Sequence, residues 1–346
     1  MSTDVKIYSI SDNNLLNLLQ MMVSSESKLV APVKSGEIIR FCEITDVGTI
    51  CTDYIQTSMS AKHLVFPPKE TLFGYQKKAN EINISDFKYE GIPDVILWGA
   101  RPCDAAGFAS LNAVFNWDIG DEIFNRRMEK LTIISFSCTH HDEYCFCTSV
   151  NGGPGNTAGS DILITPMGNG ENMAEIITAK GIALLDKYEG LFENRKLQGE
   201  KETRLTKIDT LLNASDIKKR IENLFESEIW KQQSARCLGC GACAYVCPAC
   251  ACFDIQDEKH GNCGSRLRCW DSCGYRLFTL HTSGHNPRDT QDQRWRQRIM
   301  HKFSYMPERL HVLGCTGCGR CSRACPVDMN LVEHLSSLME IPYEQH

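Results

Sequence analysis

Two runs of four cysteines with identical spacing restrict what this chain can fold into more than any other feature of its sequence. Each run has the form Cys-x2-Cys-x2-Cys-x3-Cys-Pro, and the eight positions are Cys237, Cys240, Cys243, Cys247, Cys315, Cys318, Cys321 and Cys325. Three thiolates separated by two residues can surround one iron–sulfur cubane, and the fourth is free to bind a different cluster. Zinc motifs usually use separated Cys-x2-Cys pairs, so the spacing favours 4Fe-4S clusters over zinc.

The two runs resemble those of the bacterial two-cluster ferredoxins. This resemblance implies crossed ligation, in which each cluster takes three cysteines from one run and one from the other. The first cluster would be held by Cys237, Cys240, Cys243 and Cys325, and the second by Cys315, Cys318, Cys321 and Cys247. A free-standing ferredoxin has only a short connection between its runs, whereas here residues 248–314 separate them as a long insert.

The number of cysteines also bears on where the protein works. The chain has 19 cysteines in 346 residues, far more than packing requires, and a chain of this length needs no disulfide staples to bury a core. Its beginning lacks the pattern of a signal peptide, and no apolar stretch approaches the length of a membrane span. We therefore expect a cytoplasmic protein, without a membrane span, whose thiols serve metal or redox chemistry. A net charge of −6 argues against nucleic acid as a partner.

Helical and strand-like patterns alternate through the first two-thirds of the chain. Leucines at helical spacing predict a helix over 11–23, and a second helix is expected over 105–115 with Asp104 as its cap. Short apolar runs at 95–98 and 131–136 are typical of buried strands. Strand, helix and strand in this order predict an α/β unit with a parallel sheet.

These patterns divide the chain into three parts. An α/β N-terminal domain is predicted over 1–190, and a linker over 191–233 that ends in a helix over 215–233. Residues 234–346 are predicted to form an α+β two-cluster ferredoxin domain of the bacterial type, with 248–314 as its insert.

Four further cysteines predict a third cluster in the N-terminal domain: Cys103, Cys138, Cys145 and Cys147. Cys103 and Cys138 each follow a predicted strand, and the carboxyl ends of parallel strands meet at one edge of a sheet. Four thiolates there suit a 4Fe-4S cluster. A redox-active thiol pair, a zinc site and plain structural burial are the alternatives. His140 and His141 can replace a thiolate or form a solvated turn.

The insert carries cysteines and basic residues of its own. Cys250, Cys252 and Cys273 are candidate ligands of an additional metal site, for which Cys269 is the nearest fourth ligand, and packing against the two clusters is the alternative. The basic residues are Arg266, Arg268, Arg288, Arg294, Arg296, Arg298, His301 and Lys302. They either face the negatively charged clusters and raise their potentials or form a solvated surface. Cys42 and Cys51 have no partner spacing and are interpreted as structural.

The insert motifs extend the resemblance beyond ferredoxins. CPACACFDI, RLRCWDSC, HNPR and RWRQRIMHKF occur together with WGARPCDAAGF at 98–108 and CFCTSVNGGP at 145–154. This combination is similar to the iron–sulfur protein family shared by the β subunit of cytoplasmic sulfhydrogenases and the corresponding iron–sulfur component of anaerobic sulfite reductases. The resemblance implies electron relay in an anaerobic complex, between a larger catalytic metalloenzyme subunit and an FAD-containing NAD(P)H-reductase-type subunit. The catalytic partner would be a hydrogenase, a sulfite reductase or a unit of heterodisulfide-reductase or bifurcating type.

Motifs for other cofactors are missing from the sequence. No GxGxxG follows a predicted strand and no GxxxxGK[ST] occurs, so no nucleotide cofactor is expected in this chain. The paired CxxC motifs of a nickel site do not occur either, so we expect catalysis in a different chain. The alternative functions are a self-contained iron–sulfur flavoenzyme and an iron–sulfur redox sensor.

Overall fold

The computed structural model describes residues 5–195 and 199–341 and contains two β-sheets. The strands are β1 (Lys6–Ser11), β2 (Lys28–Ser35), β3 (Ile38–Glu43), β4 (Lys69–Lys78), β5 (Glu81–Asp86), β6 (Val95–Ala100), β7 (Leu131–Phe136), β8 (Ile162–Gly168), β9 (Glu171–Ile176), β10 (Phe253–His260) and β11 (Cys263–Trp270). The helices are α1 (Asp12–Val23), α2 (Pro102–Phe115), α3 (Glu122–Lys130), α4 (Ala179–Lys187), α5 (Ala214–Asn223), α6 (Ile229–Ser234), α7 (Ala242–Tyr245), α8 (Gln291–Met300), α9 (Met306–Leu310), α10 (Arg320–Arg323) and α11 (Leu331–Glu340), with a π-helical segment at His301–Tyr305. None of the helices in these residues is long and apolar enough to cross a membrane.

The larger sheet has seven strands in the order β1-β9-β8-β7-β6-β2-β3. Its centre is parallel, because β6 pairs in parallel with β2 and β7, and β7 with β8. The predicted unit of strand, helix and strand is present here as β6, α2 and β7. Both faces of the central strands are buried, as parallel sheets require.

Apolar side chains on the two faces of this sheet form separate cores. Ile96 and Trp98 of β6 pack with α1 and α4 on one face, whereas Leu97 packs with Phe108 and Leu111 of α2 on the other. This division follows from the strand geometry, because successive side chains point to opposite faces.

The helix starts differ in how well the sequence predicted them. The helix predicted over 11–23 is α1, and the Ser11 hydroxyl caps it by accepting from the Asn14 amide at 3.2 Å. Helix α2 begins at Pro102, three residues before the predicted start. Its cap is Arg101 rather than Asp104, which lies in the first turn and accepts from the Arg101 amide at 3.3 Å. Proline favours this first turn because its fixed φ suits a helix start.

The second sheet takes strands from distant parts of the sequence. Its order is β10-β11-β4-β5, so a hairpin from the insert pairs antiparallel with a hairpin from the N-terminal region. Arg268 on β11 is 3% exposed, and it pairs with Glu70 on β4 at 2.6 Å and with Asp121. Arg127 pairs with the same Glu70 at 2.5 Å. These ion pairs attach the insert to the N-terminal region.

The helix predicted over 215–233 is two helices, α5 and α6. A turn separates them, in which the Ser227 amide donates to the Leu224 carbonyl at 3.0 Å and the Ser227 hydroxyl accepts from the Ile229 amide. The indole of Trp230 donates to the same Leu224 carbonyl at 2.7 Å. The break turns the buried Trp230 into the C-terminal core, where it packs with Trp295, Phe303 and Leu335. Tertiary packing therefore decides against the continuous amphipathic helix.

Candidate metal centres

Cysteines from both runs surround a first small cavity. Cys237, Cys240, Cys243 and Cys325 line a space of about 40 Å³, which is otherwise walled by Trp295, Leu331 and neighbouring side chains. The structure thus brings together the crossed set that the ferredoxin resemblance implies. The Gln291 amide donates to the Cys237 Sγ at 3.0 Å, a type of bond that influences the potential of a cluster when the sulfur is a ligand.

The second crossed set also meets in space. Cys318 lies close enough to Cys247, Cys315 and Cys321 to perturb all three thiols electrostatically. The buried Lys302 donates to the Cys247 Sγ at 3.4 Å and to the Gly314 carbonyl at 2.5 Å. This group stands next to the first cavity, because Cys321 also lines that cavity.

A third group of cysteines lies at the carboxyl edge of the large sheet. Cys103, at the start of α2, and Cys138, just after β7, line a space of about 20 Å³ together with Cys145 and Cys147. The exposed side chains of His140 and His141 border the same space. Its wall also includes Cys318, so this group and the second one are neighbours. The parallel pairing of β6 and β7 is what places Cys103 near Cys138.

Glycines of the second run bring the loops of the second and third groups into direct contact. Gly317 has φ +65°, and a Cβ at this position would lie 2.4 Å from the Cys147 Cα. A Cβ on Gly319, at φ +71°, would lie 2.4 Å from the Tyr144 carbonyl oxygen. The Phe146 amide donates to the Gly317 carbonyl at 2.9 Å. Glycine adopts these positive φ angles without strain, and the close contact with 144–147 is a second reason why only glycine fits at both positions.

Burial makes these thiols poor acids, even where a guanidinium stands nearby. It raises the pKa of Cys138 and Cys243 to about 11 and that of Cys147 and Cys321 to about 12. Desolvation disfavours the thiolate, and neighbouring thiols raise the pKa further. Such a thiol becomes a thiolate when a metal centre replaces its proton, which is the behaviour expected of a cluster ligand.

Buried basic side chains supply positive charge beside the cysteines, and the sequence analysis missed two of them. Arg320, 2% exposed, pairs with Asp104 at 2.7 Å and lies near Cys103 and Cys318. Burial opposes its charge, but Asp104 and the two thiols together raise the pKa of Arg320. Its position inside a cysteine run was an available signal. Lys62, 3% exposed, had no such signal, because it is remote from every motif.

A second arginine of the same run contacts the third group. Arg323 pairs with Asp142, and its guanidinium donates to the Cys145 Sγ at 3.3 Å. Burial alone would raise the pKa of Asp142, but the bonds and charge of Arg323 outweigh it and hold that pKa below its usual range. On the other side of the group, the Gln56 amide donates to the Cys103 Sγ at 2.9 Å. Both contacts place hydrogen-bond donors on candidate ligands.

Some basic residues of the insert face the cysteine groups, and others lie on the solvated surface. Arg294 and Arg298 fall on the inner face of α8, and the Arg298 guanidinium donates to the Cys243 carbonyl at 2.8 Å. Lys302 is buried beside Cys247, whereas Arg266 is exposed and pairs with Asp257 at 2.8 Å. Arg294, Arg296 and Arg298 alternate along the sequence, and they lie in the helix α8 rather than in a strand.

The remaining cysteines lie in different surroundings. Cys250, Cys252 and Cys273 lie near one another at the base of the β10–β11 hairpin. Cys263 is exposed at the far end of β11, and Cys269 lies near Lys69. The structure thus groups three of the five.

The donor set determines which metal group these sites suit. In the residues described, no three His, Cys, Asp or Glu side chains converge tightly enough for a single metal ion. A cubane presents four separate irons, each of which can take one thiolate, and at least four cysteines line the first cavity and the third. Soft thiolates without oxygen ligands are typical of iron–sulfur clusters.

Comparison with known proteins agrees with this chemistry. A family described as the 4Fe-4S dicluster domain matches residues 236–329. Sulfhydrogenase 2 subunit beta of Pyrococcus furiosus is 29% identical over 321 residues, which cover 91% of this chain and 92% of the relative. No solved structure matches the chain. The molecule thus combines a mixed α/β, sheet-rich N-terminal region with a 4Fe-4S dicluster domain of ferredoxin type at residues 236–329, and along most of its length it is similar to an iron–sulfur subunit of a sulfhydrogenase.

Proposed function

We propose that this chain is the electron-relay subunit of an anaerobic cytoplasmic oxidoreductase complex, with three 4Fe-4S centres in series. The observation that carries the proposal is the contiguity of the three cysteine groups. Cys321 lines the first cavity and belongs to the second group, and Cys318 belongs to the second group and lines the third cavity. Neighbouring centres with shared walls are what electron transfer through a protein requires.

The ligand assignment follows the groups. Cys237, Cys240, Cys243 and Cys325 hold the first cluster, Cys315, Cys318, Cys321 and Cys247 the second, and Cys103, Cys138, Cys145 and Cys147 the third. When bound, 4Fe-4S clusters supply one-electron transfer. Residues 1–190 carry the third centre and residues 234–346 the other two, with 248–314 inserted between the runs.

The chain's own residues adjust the charge of the sites and keep them dry. Four thiolates give each site a net negative charge, and the buried guanidinium of Arg320 stands between the second and third groups. Arg298 lies between the first and second groups, near Cys243 and Cys321, and Lys302 lies beside Cys247 of the second group. Positive charge favours the reduced form of a cluster, and apolar walls such as Trp295 exclude water.

The partners follow from the relative. Its name assigns it to a sulfhydrogenase as one subunit of several. We propose that this chain likewise connects an FAD-containing NAD(P)H-reductase-type subunit with a larger metalloenzyme subunit of hydrogenase, sulfite reductase or heterodisulfide-reductase type. No nucleotide cofactor is proposed for the chain itself.

Iron and sulfide analysis of single-cysteine variants tests the ligand assignment. Cys145→Ser in anaerobically purified protein is expected to lower the iron content by about 4 Fe per chain, out of about 12 Fe for the three sites. Cys42→Ser is the matched control, because Cys42 is exposed on β3 and away from the cysteine groups. An iron content unchanged by Cys145→Ser would overturn the assignment of the third cluster.

Co-purification from the native organism tests the relay function. A flavoprotein of ferredoxin-reductase type and a larger metalloenzyme are expected to accompany the chain. Recovery as a lone monomer would contradict the relay, and flavin absorbance in that monomer would instead support a self-contained flavoenzyme.

A further inference from the structure

The base of the β10–β11 hairpin brings together three cysteines that the three proposed clusters do not use. Cys250 and Cys252 lie three residues and one residue before the start of β10. Cys273 follows β11, and the Asp271 amide donates to the Cys252 carbonyl at 3.0 Å, which closes the base of the hairpin. The Cys252 and Cys273 thiols lie close to each other.

The group is buried next to the first two clusters. Cys250 is 8% exposed, and its thiol lies close to that of Cys247. Cys273 lies near Cys250 and near Cys243. The three cysteines therefore stand beside ligands of both ferredoxin-type clusters without belonging to either set.

Three buried cations face this group. Lys62, Arg298 and Lys302 are each 3–4% exposed. The Lys62 ammonium donates to the Cys250 and Ala244 carbonyls at 3.0 Å each and lies 4.1 Å from the centre of the Trp270 ring. The Arg298 guanidinium lies 3.7 Å from the Cys250 Sγ.

These cations have no carboxylate to balance them. Across residues 5–195 and 199–341, no Asp or Glu oxygen lies within ion-pair distance of Lys62, Arg298 or Lys302. Carbonyl oxygens satisfy the hydrogen bonds but carry no net charge, and an unpaired buried charge is costly. The two ferredoxin-type clusters account for Lys302 and for part of the environment of Arg298. Lys62 lies beside Cys250 and near Cys247 and Cys252, where negative charge at the hairpin base would balance its ammonium.

We propose that Cys250, Cys252 and Cys273 bind a further iron–sulfur cluster, through three thiolates and one iron without a cysteine ligand. Three thiolates and bridging sulfide supply the negative charge that the cations require. The absence of a carboxylate or imidazole within the group favours a cluster over a single hard metal ion. The inference rests on the proposed function only in assigning Cys243 and Cys247 to the ferredoxin-type clusters.

Iron and sulfide analysis of Cys250→Ser, Cys252→Ser and Cys273→Ser tests the site. Each variant is expected to lose about 4 Fe per chain from a total of about 16. Cys263→Ser is the matched control, because Cys263 is exposed at the other end of the same hairpin, and its iron content should not change. Unchanged iron in the Cys252→Ser/Cys273→Ser double variant would overturn the proposal. A Cys252–Cys273 disulfide in anaerobic protein with full iron content would also overturn it and indicate a redox-active thiol pair.

Oxidation of the unaltered protein tests the same site without depending on the folding of a variant. An iron that lacks a cysteine ligand is the easiest to remove: it leaves as Fe²⁺, ferricyanide accepts one electron, and a three-iron cluster with its own EPR signal remains. We expect this signal in the unaltered protein and its loss in folded Cys273→Ser protein. No three-iron signal, or an equal signal in Cys273→Ser, would contradict the proposal.

If Cys145→Ser and Cys240→Ser lose iron while Cys273→Ser does not, the further site is wrong and the relay stands. If none of these variants loses iron, the proposed function itself fails.

Discussion

At the scale of one residue, Gly317 lets the loop of the second cysteine run pack directly against the backbone of Cys147. Its φ of +65° and that of Gly36, at +61°, impose the same left-handed strain on any side chain. A Cβ at position 36 would meet nothing within 4 Å, whereas one at position 317 would meet the backbone of Cys147. The two glycines therefore differ in contact and not in conformation.

Alanine substitutions at both glycines separate these two effects. Gly36→Ala is expected to destabilise the protein by about 1 kcal/mol, the ordinary cost of a left-handed residue with a Cβ. Gly317→Ala should lower the melting temperature substantially more and reduce the iron content, because the 144–147 segment must move away from the second run. Differential scanning calorimetry and iron analysis measure both. Equal melting temperatures for the two variants would show that the contact is unimportant.

The Asp104–Arg320 pair is a second test at the residue scale. Both side chains are buried, and Asp104→Asn leaves the guanidinium without its carboxylate, which is expected to cost about 3–5 kcal/mol. Asp94→Asn is the control, since Asp94 pairs with Lys130 at 2.9 Å at the surface, where such a pair contributes about 0–1 kcal/mol. Anaerobic denaturant titrations compare the two. Similar midpoints for both variants would contradict a structural role for the buried pair.

At the scale of elements, the second sheet determines how the insert is held. Its β10–β11 hairpin extends a sheet whose other two strands lie well over 150 residues earlier in the sequence. The carboxylate of Glu70 accepts from both Arg268 and Arg127 at this junction. Because the hairpin base carries Cys252 and Cys273, the junction also fixes the position of these cysteines.

Glu70→Gln is expected to loosen that hairpin. Removing the carboxylate leaves the buried Arg268 with Asp121 as its remaining ion-pair partner, at a cost of about 3 kcal/mol. Glu258→Gln is the control within the same sheet, because Glu258 pairs with Lys69 at 2.7 Å in an exposed position. Hydrogen exchange should accelerate in β10 and β11 in the first variant only. Unchanged exchange there would show that strand pairing alone holds the insert.

At the scale of the whole molecule, the two cysteine runs lie at the border of the C-terminal apolar core and have little regular structure of their own. The helices inside the runs, α7 and α10, have four residues each, far too few to be stable alone. The large N-terminal sheet has its own apolar cores on both faces. The two regions should therefore respond differently when iron is removed.

Iron removal by an anaerobic chelator is expected to expose the two cysteine runs and to leave the large sheet intact. Limited proteolysis should cleave within 236–250 and 313–327, and hydrogen exchange in β6 and β7 should remain slow. The protein with its iron retained serves as the control. Global loss of protection on iron removal would instead show that the sheet depends on the clusters.

Local patterns in the sequence were enough to predict the chemistry of the C-terminal region and the centre of the N-terminal fold. The eight cysteines of the two runs act through spacing along a few residues, and a contiguous loop keeps that spacing whatever surrounds it. The parallel pairing of β6 with β7 followed from two apolar runs with a helix between them. That pairing is why Cys103 and Cys138 were predicted to lie at one edge.

The charges and loops that meet at the sites, in contrast, are apparent only in the folded chain. Lys62, Asp104 and Arg320 come from separate parts of the chain, and no periodicity along the sequence relates them. The break between α5 and α6 likewise depends on where Trp230 packs, which overrides a helical pattern that is locally sound. Both the buried charges and the helix break have one physical cause. Cysteine spacing and strand patterns are local properties, whereas burial, charge balance and close backbone contact depend on residues that become neighbours only on folding.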